Sequence, residues 1–363
     1  MKEGWEVKRL GEVCEITMGQ SPSSESYNDI GRGMPFFQGC SDFGKLYPHV
    51  TTYCDMPKKM ADINDVLISV RAPIGTLNIA NLHCCIGRGL ASVREIKGLS
   101  CYKYLYFFLL KSKEELQEKG TGATFKAIGK DALLNFPILV PSIEEQSRIV
   151  EELDLLSNII EKKRQQLSEI DNLAQSIFYD MFGDPNSNDK QWERVKFDSI
   201  CKNLDCQRKP ITAKDRLKGN IPYYGASGIV DYVKDYIFDG DFLLISEDGA
   251  NLSVRHTPIA FRITGKTWVN NHAHIVQFDD IISMLFVEYY INLLDISDLI
   301  TGCAQPKLTQ ANLNNILIFD VPLKFQQLFA QKIEAVEKQK GLIKQSIAET
   351  EELFNSRMDY YFS

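Results

Sequence analysis

The segment SIEEQSRIVEELDLLSNIIEKKRQQLSEIDNLAQSIFYDMFG, residues 142–183, decides the architecture of this chain. Ser142 and Glu145 form the Ser-x-x-Glu pattern that begins a helix, and Gly183 is typical of a helix end. Between them, mostly apolar residues recur at alternating spacings of four and three, the pattern of a coiled-coil seam. The predicted seam comprises Ile149, Leu153, Leu156, Ile160, Lys163, Leu167, Ile170, Ala174, Ile177 and Met181.

A second segment repeats this seam 180 positions later in the chain. Because a seam needs a partner, we predict that the two helices pair with each other, antiparallel if the halves are related by a pseudo-two-fold axis. Helices of about 40 residues would form a rod roughly 60 Å long. An alternative is that the helices only dimerise the protein. The second seam comprises Phe329, Ile333, Val336, Lys340, Ile343, Ile347, Thr350, Phe354, Arg357 and Tyr361.

The segments outside the helices are also duplicated. A Trp-Glu pair opens each half, at Trp5 and at Trp192, and a Thr-Gly step occurs late in each, at Thr121 and at Thr301. Between these two features, short strand-like runs and then one aromatic-rich helical segment occur in the same order in both halves. We therefore predict an α+β protein with two similar mixed-sheet domains and two long antiparallel coiled-coil helices. The predicted boundaries are 1–141, 142–183, 184–322 and 323–363.

The composition restricts the class of protein. The chain is 44% hydrophobic and 25% charged, as globular proteins are, and no run of about 18 apolar residues predicts a membrane span. We expect a cytoplasmic protein. Nine scattered cysteines without a Cys-x-x-Cys pair argue against a disulfide framework and a zinc cluster. The net charge of −7 predicts modest non-specific affinity for phosphate groups.

Several motifs in both halves carry a family resemblance. They are Gly19–Ser23, Pro35–Gly39, Asp65–Arg71 and Thr121–Ile128 in the first half, and Ile221–Gly228, Leu244–Gly249, Trp268–His274 and Thr301–Cys303 in the second. In this order and with the duplicated layout, the chain resembles the specificity subunit of type I restriction-modification systems over essentially its whole length.

The resemblance implies a function without catalysis by this chain. Two target-recognition domains would each read one half of an asymmetric, interrupted sequence in double-stranded DNA. The helices would set the gap between the half-sites and bind two methyltransferase subunits, and restriction subunits would join the complex. S-adenosylmethionine is then expected on the methyltransferase, with no cofactor here. The alternatives are a coiled-coil adaptor whose heads bind proteins and an enzyme with an unrecognised site.

Polar side chains on predicted loops are the candidates for DNA contact, because such groups meet base edges and phosphates. A solvated loop residue is the alternative for each of them. The candidates in the first half are Gln20, Ser21, Ser23, Ser24, Gln38, Arg71, Arg88, Thr124 and Lys126. Those in the second half are Tyr223, Tyr224, Ser227, Asn251, Ser253, Arg255, Gln305 and Lys307, and we place Lys126 and Lys307 at comparable positions.

We predict no catalytic or metal-binding residue. His272 and His274 lack an accompanying nucleophile pattern, so we predict structural roles for both, and a turn at Glu247–Gly249. The chain has no Asn-Pro-Pro-Tyr or Asp-Pro-Pro-Tyr tetrad for adenine methylation and no phosphate-binding Gly-x-x-x-x-Gly-Lys-Ser/Thr loop. Base flipping would therefore be left to the methyltransferase.

Overall fold

The structure, a computed structural model, describes residues 4–122, 126–302 and 305–363. The chain divides into two compact units: the first extends to Lys163 and includes Ser346–Ser363, and the second is Arg164–Gln345. Each of two 40-residue helices contributes one half to each unit. The predicted four-part division separates helices from globular segments, whereas these units follow packing; the four-part division stays a prediction.

The first unit combines short strands with several helices. The strands are β1 (Glu6–Arg9), β2 (Cys14–Met18), β3 (Tyr27–Asn28), β4 (Met34–Phe37), β5 (Tyr53–Cys54), β6 (Met60–Ala61), β7 (Val66–Ser69), β8 (Leu77–Ile79), β9 (Cys84–Ile86), β10 (Leu90–Glu95) and β11 (Pro137–Val140). The helices are α1 (Leu10–Val13), α2 (Tyr102–Lys111), α3 (Lys113–Glu118), α4 (Lys130–Leu134), the first half of α5 (Ile143–Phe182) and the second half of the C-terminal helix Leu323–Phe362.

Two sheets form the centre of the first unit. One is antiparallel, in the order β2-β10-β7-β8, and the other has the order β3-β5-β4-β9-β6 with β4 and β9 parallel. Every residue of β7 is buried, which explains its continuous apolar run. The aromatic residues Tyr104, Phe107 and Phe108 of α2 belong to the same core, together with Ile149 and Leu153 of α5.

The second unit repeats this arrangement with longer strands. Its strands are β12 (Arg194–Lys196), β13 (Lys202–Asn203), β14 (Lys218–Gly225), β15 (Gly228–Val233), β16 (Phe238–Ser246), β17 (Ala260–Val269), β18 (Ala273–Gln277), β19 (Ile300–Thr301), β20 (Lys307–Leu308) and β21 (Leu317–Phe319). Its helices are α6 (Asn251–Val254), α7 (Ile281–Leu293), α8 (Gln310–Asn314), the second half of α5 and the first half of α9 (Leu323–Phe362).

One strand explains why the two units have different sheets. In the second unit the long β17 pairs antiparallel with β16 and then parallel with β14, giving the order β13-β18-β16-β17-β14-β15. In the first unit two strands share these tasks: β8 pairs with β7, and β9 pairs with β4. Residues 80–83 separate β8 from β9, so one sheet becomes two.

The long helices run antiparallel within each unit. In the first unit the Tyr361 hydroxyl donates a hydrogen bond to Glu152 at 2.6 Å, which joins the start of α5 to the end of α9. In the second unit Phe178 and Phe182 contact Phe329, with ring centroids 5.6 and 5.3 Å apart, which joins the end of α5 to the start of α9. The predicted α+β fold with two long helices is confirmed.

Burial along the predicted seam is highest near the globular parts of each unit. In the first unit Ile149, Leu153 and Leu156 are buried, and Ile160, Ile347 and Phe354 are half-buried. In the second unit Phe329, Ile333 and Val336 are buried, and Leu167, Ile170, Ile177 and Ile343 are half-buried. Among the described helices, none combines the length and apolar character that a membrane span requires.

Candidate functional site

The ends of matching strands can be aligned through their backbone hydrogen bonds. In the first unit the Val70 carbonyl, just after β7, accepts from the Ile128 N–H at 2.9 Å. In the second unit the Glu247 carbonyl, just after β16, accepts from the Leu308 N–H at 2.8 Å. Val70 and Glu247 are therefore structurally equivalent, and so are the residues that follow them, Arg71 and Asp248.

A second pair of bonds aligns the turn that follows β9 in the first unit and β17 in the second. Gly87 donates its N–H to the Phe37 carbonyl at 2.8 Å, and Asn270 donates to the Tyr224 carbonyl at 3.0 Å. Counting onward from these bonds equates Gln38 with Gly225, Arg88 with Asn271 and Gly89 with His272.

This turn passes the end of β4 in the first unit and the end of β14 in the second, at a place we call the strand crossing. Glycine lies on opposite sides of the strand crossing in the two units. A side chain on Gly87 would place its Cβ 2.9 Å from the Gln38 Cα, and one on Gly89 would lie 2.6 Å from the Gln38 carbonyl oxygen. In the second unit the glycine is Gly225, where a Cβ would lie 2.9 Å from Val230 Cγ1 and 3.3 Å from the side-chain nitrogen of Asn270. At the strand crossing itself, the side chain belongs to Gln38 in the first unit and to Asn270 and His272 in the second.

Three predicted residues of the first unit come together at this crossing. Gln38, Arg71 and Arg88 line one depression of about 290 Å³. All three are exposed, and neither guanidinium group has a hydrogen bond or ion pair to any residue that the structure describes. The arrangement leaves several donors directed to solvent, which can bind an acceptor-rich ligand.

The loop before β3 borders the same turn. The Gln20 N–H donates to the Ile86 carbonyl at 3.0 Å, and the Ser21 hydroxyl accepts from the Arg88 N–H at 3.2 Å. Ser23 and Ser24 are exposed a few residues farther along. Their DNA contacts, like those of Gln20 and Ser21, stay predictions.

The comparison of Lys126 with Lys307 needs a correction of one residue. Ala127 pairs with Thr121 as Lys307 pairs with Thr301, so the residue equivalent to Lys307 is Ala127. Lys126 is five residues past Thr121 and Lys307 is six past Thr301, so matching the two lysines puts the loops one residue out of register. Lys126 is exposed, and Thr124 lies outside the described residues.

Three predicted residues of the second unit have their side chains engaged within the fold. Tyr223 is buried, its hydroxyl accepts from the Ile211 N–H, and the Arg216 guanidinium lies 4.4 Å from its ring centroid. Asn251 makes two hydrogen bonds to the Thr257 backbone. These positions do not favour base contact, because exposing either group would break the packing or the turn.

Arg255 also has a position within the fold. Its guanidinium donates to the carbonyls of Leu252 and Leu294, at 3.2 and 3.0 Å. Burial lowers the pKa of Arg255, although Asp295 opposes this effect. The remaining candidates are placed differently: Tyr224 is half-buried against Phe261, whereas Ser227, Ser253, Gln305 and Lys307 are exposed.

A buried ionic network supports the loop that carries Lys307. His274 Nδ1 lies 2.6 Å from Asp205 Oδ2, and His274 Nε2 lies 2.8 Å from the Leu308 carbonyl oxygen. Because both neighbours are acceptors, each ring nitrogen lies where an N–H would be hydrogen-bonded. Glu247 accepts from Arg208 at 2.6 Å and pairs with Lys307 at 3.0 Å.

The same network resembles a metal site only in its spacing. Asp205, Glu247 and His274 bring ligand atoms within 4.8 Å of one another. Both His274 nitrogens already lie at hydrogen-bond distance from acceptors of the fold, which leaves neither directed toward an open coordination position. Arg208 and Lys307 balance the carboxylate charge, so the donor set suits an ion-pair network better than a metal ion.

The network also changes the acidity of its carboxyl groups. Burial alone raises the pKa of Asp205, but the hydrogen bond and charge of His274 bring it below its ordinary value. Burial likewise raises the pKa of Glu247, and the hydrogen bonds from Arg208 and Lys307 lower it overall. Both carboxylates are therefore stabilised in the charged form by the fold.

Comparison with known proteins decides the family. The model of the type I restriction modification DNA specificity domain matches residues 2–172 and again residues 189–352. The chain belongs to this family. The two matches of the DNA specificity domain fall on the two duplicated halves.

Individual relatives agree with this family assignment. The chain is 42% identical over 177 residues to the candidate MjaX type I restriction enzyme specificity subunit of Methanocaldococcus jannaschii, a match covering 48% of this chain. It spans only 42% of that relative's length. It is 22% identical to the EcoprrI specificity subunit of Escherichia coli over 92% of this chain and 88% of that protein.

A solved structure shares the fold. The type I restriction-modification S subunit from M. genitalium aligns with a TM-score of 0.58 at 14% identity. The alignment covers 99% of this chain and 96% of that one. At this identity the similarity shows a shared fold and does not equate individual site residues.

Proposed function

We propose that this protein is the DNA-recognition subunit of a type I restriction-modification complex and performs no chemistry itself. Each unit reads one half of a bipartite target in double-stranded DNA. The single observation that carries the proposal is the pair of structurally equivalent turns, one per unit, each presenting polar side chains beside a strand crossing. The family membership of both halves supports the same function.

The proposal extends to partners. The long helices bind two methyltransferase subunits, which hold S-adenosylmethionine, and restriction subunits join this assembly. The exposed apolar side chains Leu155, Leu173 and Leu342 of α5 and α9 are available for such contacts. A subunit with a net charge of −7 gains little from non-specific phosphate attraction, so a partner that adds positive charge would strengthen DNA binding.

Selection from randomised DNA tests the proposal directly. The full chain, assembled with its methyltransferase partner, is mixed with duplexes that carry a randomised core, and bound DNA is recovered and sequenced. We expect the recovered duplexes to share a bipartite sequence, with two defined segments separated by a gap. Recovery of no preferred sequence would contradict the DNA function and favour a protein-binding adaptor.

A domain exchange tests the division of labour. Replacing residues 1–141 with the corresponding segment of another family member should alter one half of the selected sequence and leave the other half unchanged. Simultaneous change of both halves would show that the units do not read independently.

A further inference from the structure

We propose that the two units read different bases through one equivalent position: Arg88 reads a guanine in one half-site, and Asn271 reads an adenine in the other. This inference rests on the proposed function and deepens it by naming the residue and the base for each unit. Asn271 lies in the motif Trp268–His274 but was not among the predicted DNA-contact residues.

The first step is the equivalence of the two positions. Arg88 follows Gly87, whose N–H is bonded to the Phe37 carbonyl, and Asn271 follows Asn270, whose N–H is bonded in the same way to Tyr224. Both residues are therefore the middle residue of the turn that enters the matching strands β10 and β18. Both are exposed.

The second step is that each turn offers a ligand one side chain that has no hydrogen-bond partner in the part of the chain that the structure describes. In the first unit the neighbours of Arg88 are Gly87 and Gly89, which have no side chains. In the second unit Asn270 accepts from the His272 N–H at 2.8 Å, and His272 Nδ1 is 2.8 Å from an Asp248 oxygen.

The side chain of Asn271 has no hydrogen bond to any residue within 4–122, 126–302 and 305–363. Its amide therefore corresponds to the open guanidinium of Arg88. The two units differ in the chemistry they present at this position, not in the position itself.

The third step is the match between these groups and base edges. Guanine presents two acceptors in the major groove, N7 and O6, which fit the paired donors of a guanidinium. Adenine presents an acceptor at N7 and a donor at N6, which fit the donor and acceptor of an asparagine amide. Lysine cannot replace the bidentate geometry of arginine, although it keeps the charge.

The surroundings favour the same assignment. Arg71, beside Arg88, adds a second cation that attracts an edge made of acceptors. Its equivalent in the second unit is Asp248, an acceptor held by His272. A carboxylate repels the acceptors of guanine and is compatible with the N6 donor of adenine, so the second unit disfavours guanine at its position.

The test uses the full chain assembled with its methyltransferase partner and duplexes with a randomised core. Arg88→Lys should weaken a guanine preference at one position of one half-site, because lysine keeps donors but not their paired geometry, and Asn271→Ala should abolish an adenine preference at one position of the other. The selection ratio at each position should fall by roughly five- to 150-fold. Arg88→Lys should retain the salt dependence of the unmodified protein, because the charge is kept.

Matched controls are Arg9→Lys and Asn220→Ala, which change exposed residues on β1 and at the start of β14. They should leave the selected sequence unchanged. Unchanged base preferences in Arg88→Lys and Asn271→Ala, or effects spread over both half-sites, would overturn the inference while the bipartite function stands. If the unmodified complex selects no sequence, the proposed function fails and the inference fails with it.

Discussion

At the scale of single residues, Asp205 is the side chain whose removal should cost the second unit most. It is buried, and it accepts hydrogen bonds from His274 Nδ1 and the Ile275 N–H. Asp205→Ala would leave His274 Nδ1 and the nearby Arg208 without this buried carboxylate, so we expect a loss of about 3–5 kcal/mol in the free energy of unfolding at neutral pH. Urea denaturation of the full chain measures it.

The matched control is Asp235→Ala, which removes an exposed carboxylate of the same unit. Its unfolding free energy should stay within about 0.5 kcal/mol of the unmodified protein. Equal stability of the two variants would show that the Asp205–His274 pair contributes nothing.

The acid dependence of stability follows from the same network. The fold lowers the pKa of both Asp205 and Glu247, so the native state binds fewer protons than the unfolded state in the acidic range. Their stabilisation is complete above the unfolded pKa values of about 4 and is lost as the pH falls through the lower folded values. Urea midpoints measured from pH 7 downward should therefore fall more steeply for the unmodified protein than for Asp205→Ala, and parallel curves would contradict this prediction.

The residue scale is also where the sequence predicts least. Gln38, Arg71 and Arg88 share one depression although 50 positions separate the first from the last. Arg255 looks equally suitable as a DNA contact in the sequence, yet its guanidinium bonds to the Leu294 carbonyl, 39 positions away. Such partners depend on tertiary packing, so residue type and loop position cannot separate a free side chain from an engaged one. Asn271 was missed for a related reason: its turn and that of Arg88 share no sequence.

At the scale of elements, the antiparallel helix pair offers a sharp test because two neighbouring leucines face opposite environments. Leu156 is 8% exposed and Leu155 is 60% exposed. Leu156→Asp should lower the unfolding free energy by at least about 3 kcal/mol, since it removes a buried side chain and introduces a charge. Leu155→Asp is the control and should change it by less than about 0.5 kcal/mol. Urea denaturation distinguishes them, and similar losses in both variants would contradict the seam.

The long helices were predictable because their periodicity is sampled over many turns. The predicted ranges of 142–182 and 323–363 agree with Ile143–Phe182 and Leu323–Phe362. The two-residue strands β3, β5 and β6 were not predictable, because so short a run has no measurable alternation. The sequence also does not predict that the single strand β17 makes both pairings that β8 and β9 make separately in the first unit. This difference depends on residues 80–83, which separate β8 from β9.

At the scale of the whole molecule, duplication was the most predictable feature, because it appears twice and each copy supports the other. The offset between equivalent residues nevertheless changes along the chain. It is 187 between Phe36 and Tyr223, which pair with β9 and β17, and 177 between Ser69 and Ser246, which pair with β10 and β18. Loop lengths have therefore diverged while the strand pairing is kept, so no constant offset equates all the residues of the two halves.

The proposed role of the helices in setting the gap between the half-sites gives the last prediction. Inserting one heptad after Arg164 in α5 and another after Lys344 in α9 preserves the repeat of the seam in both helices. Each helix lengthens by roughly 10 Å, about three base pairs of duplex. We expect the selected target to keep both half-sites and gain about three base pairs in its gap. Its affinity should fall, because about three base pairs also rotate the second half-site by nearly a third of a helical turn.

A heptad inserted in α5 alone leaves unequal helices and should reduce binding without yielding a new defined gap. Sequencing of selected duplexes measures both outcomes, and an unchanged gap bound at full affinity in the double insertion would show that something other than the helices sets the spacing.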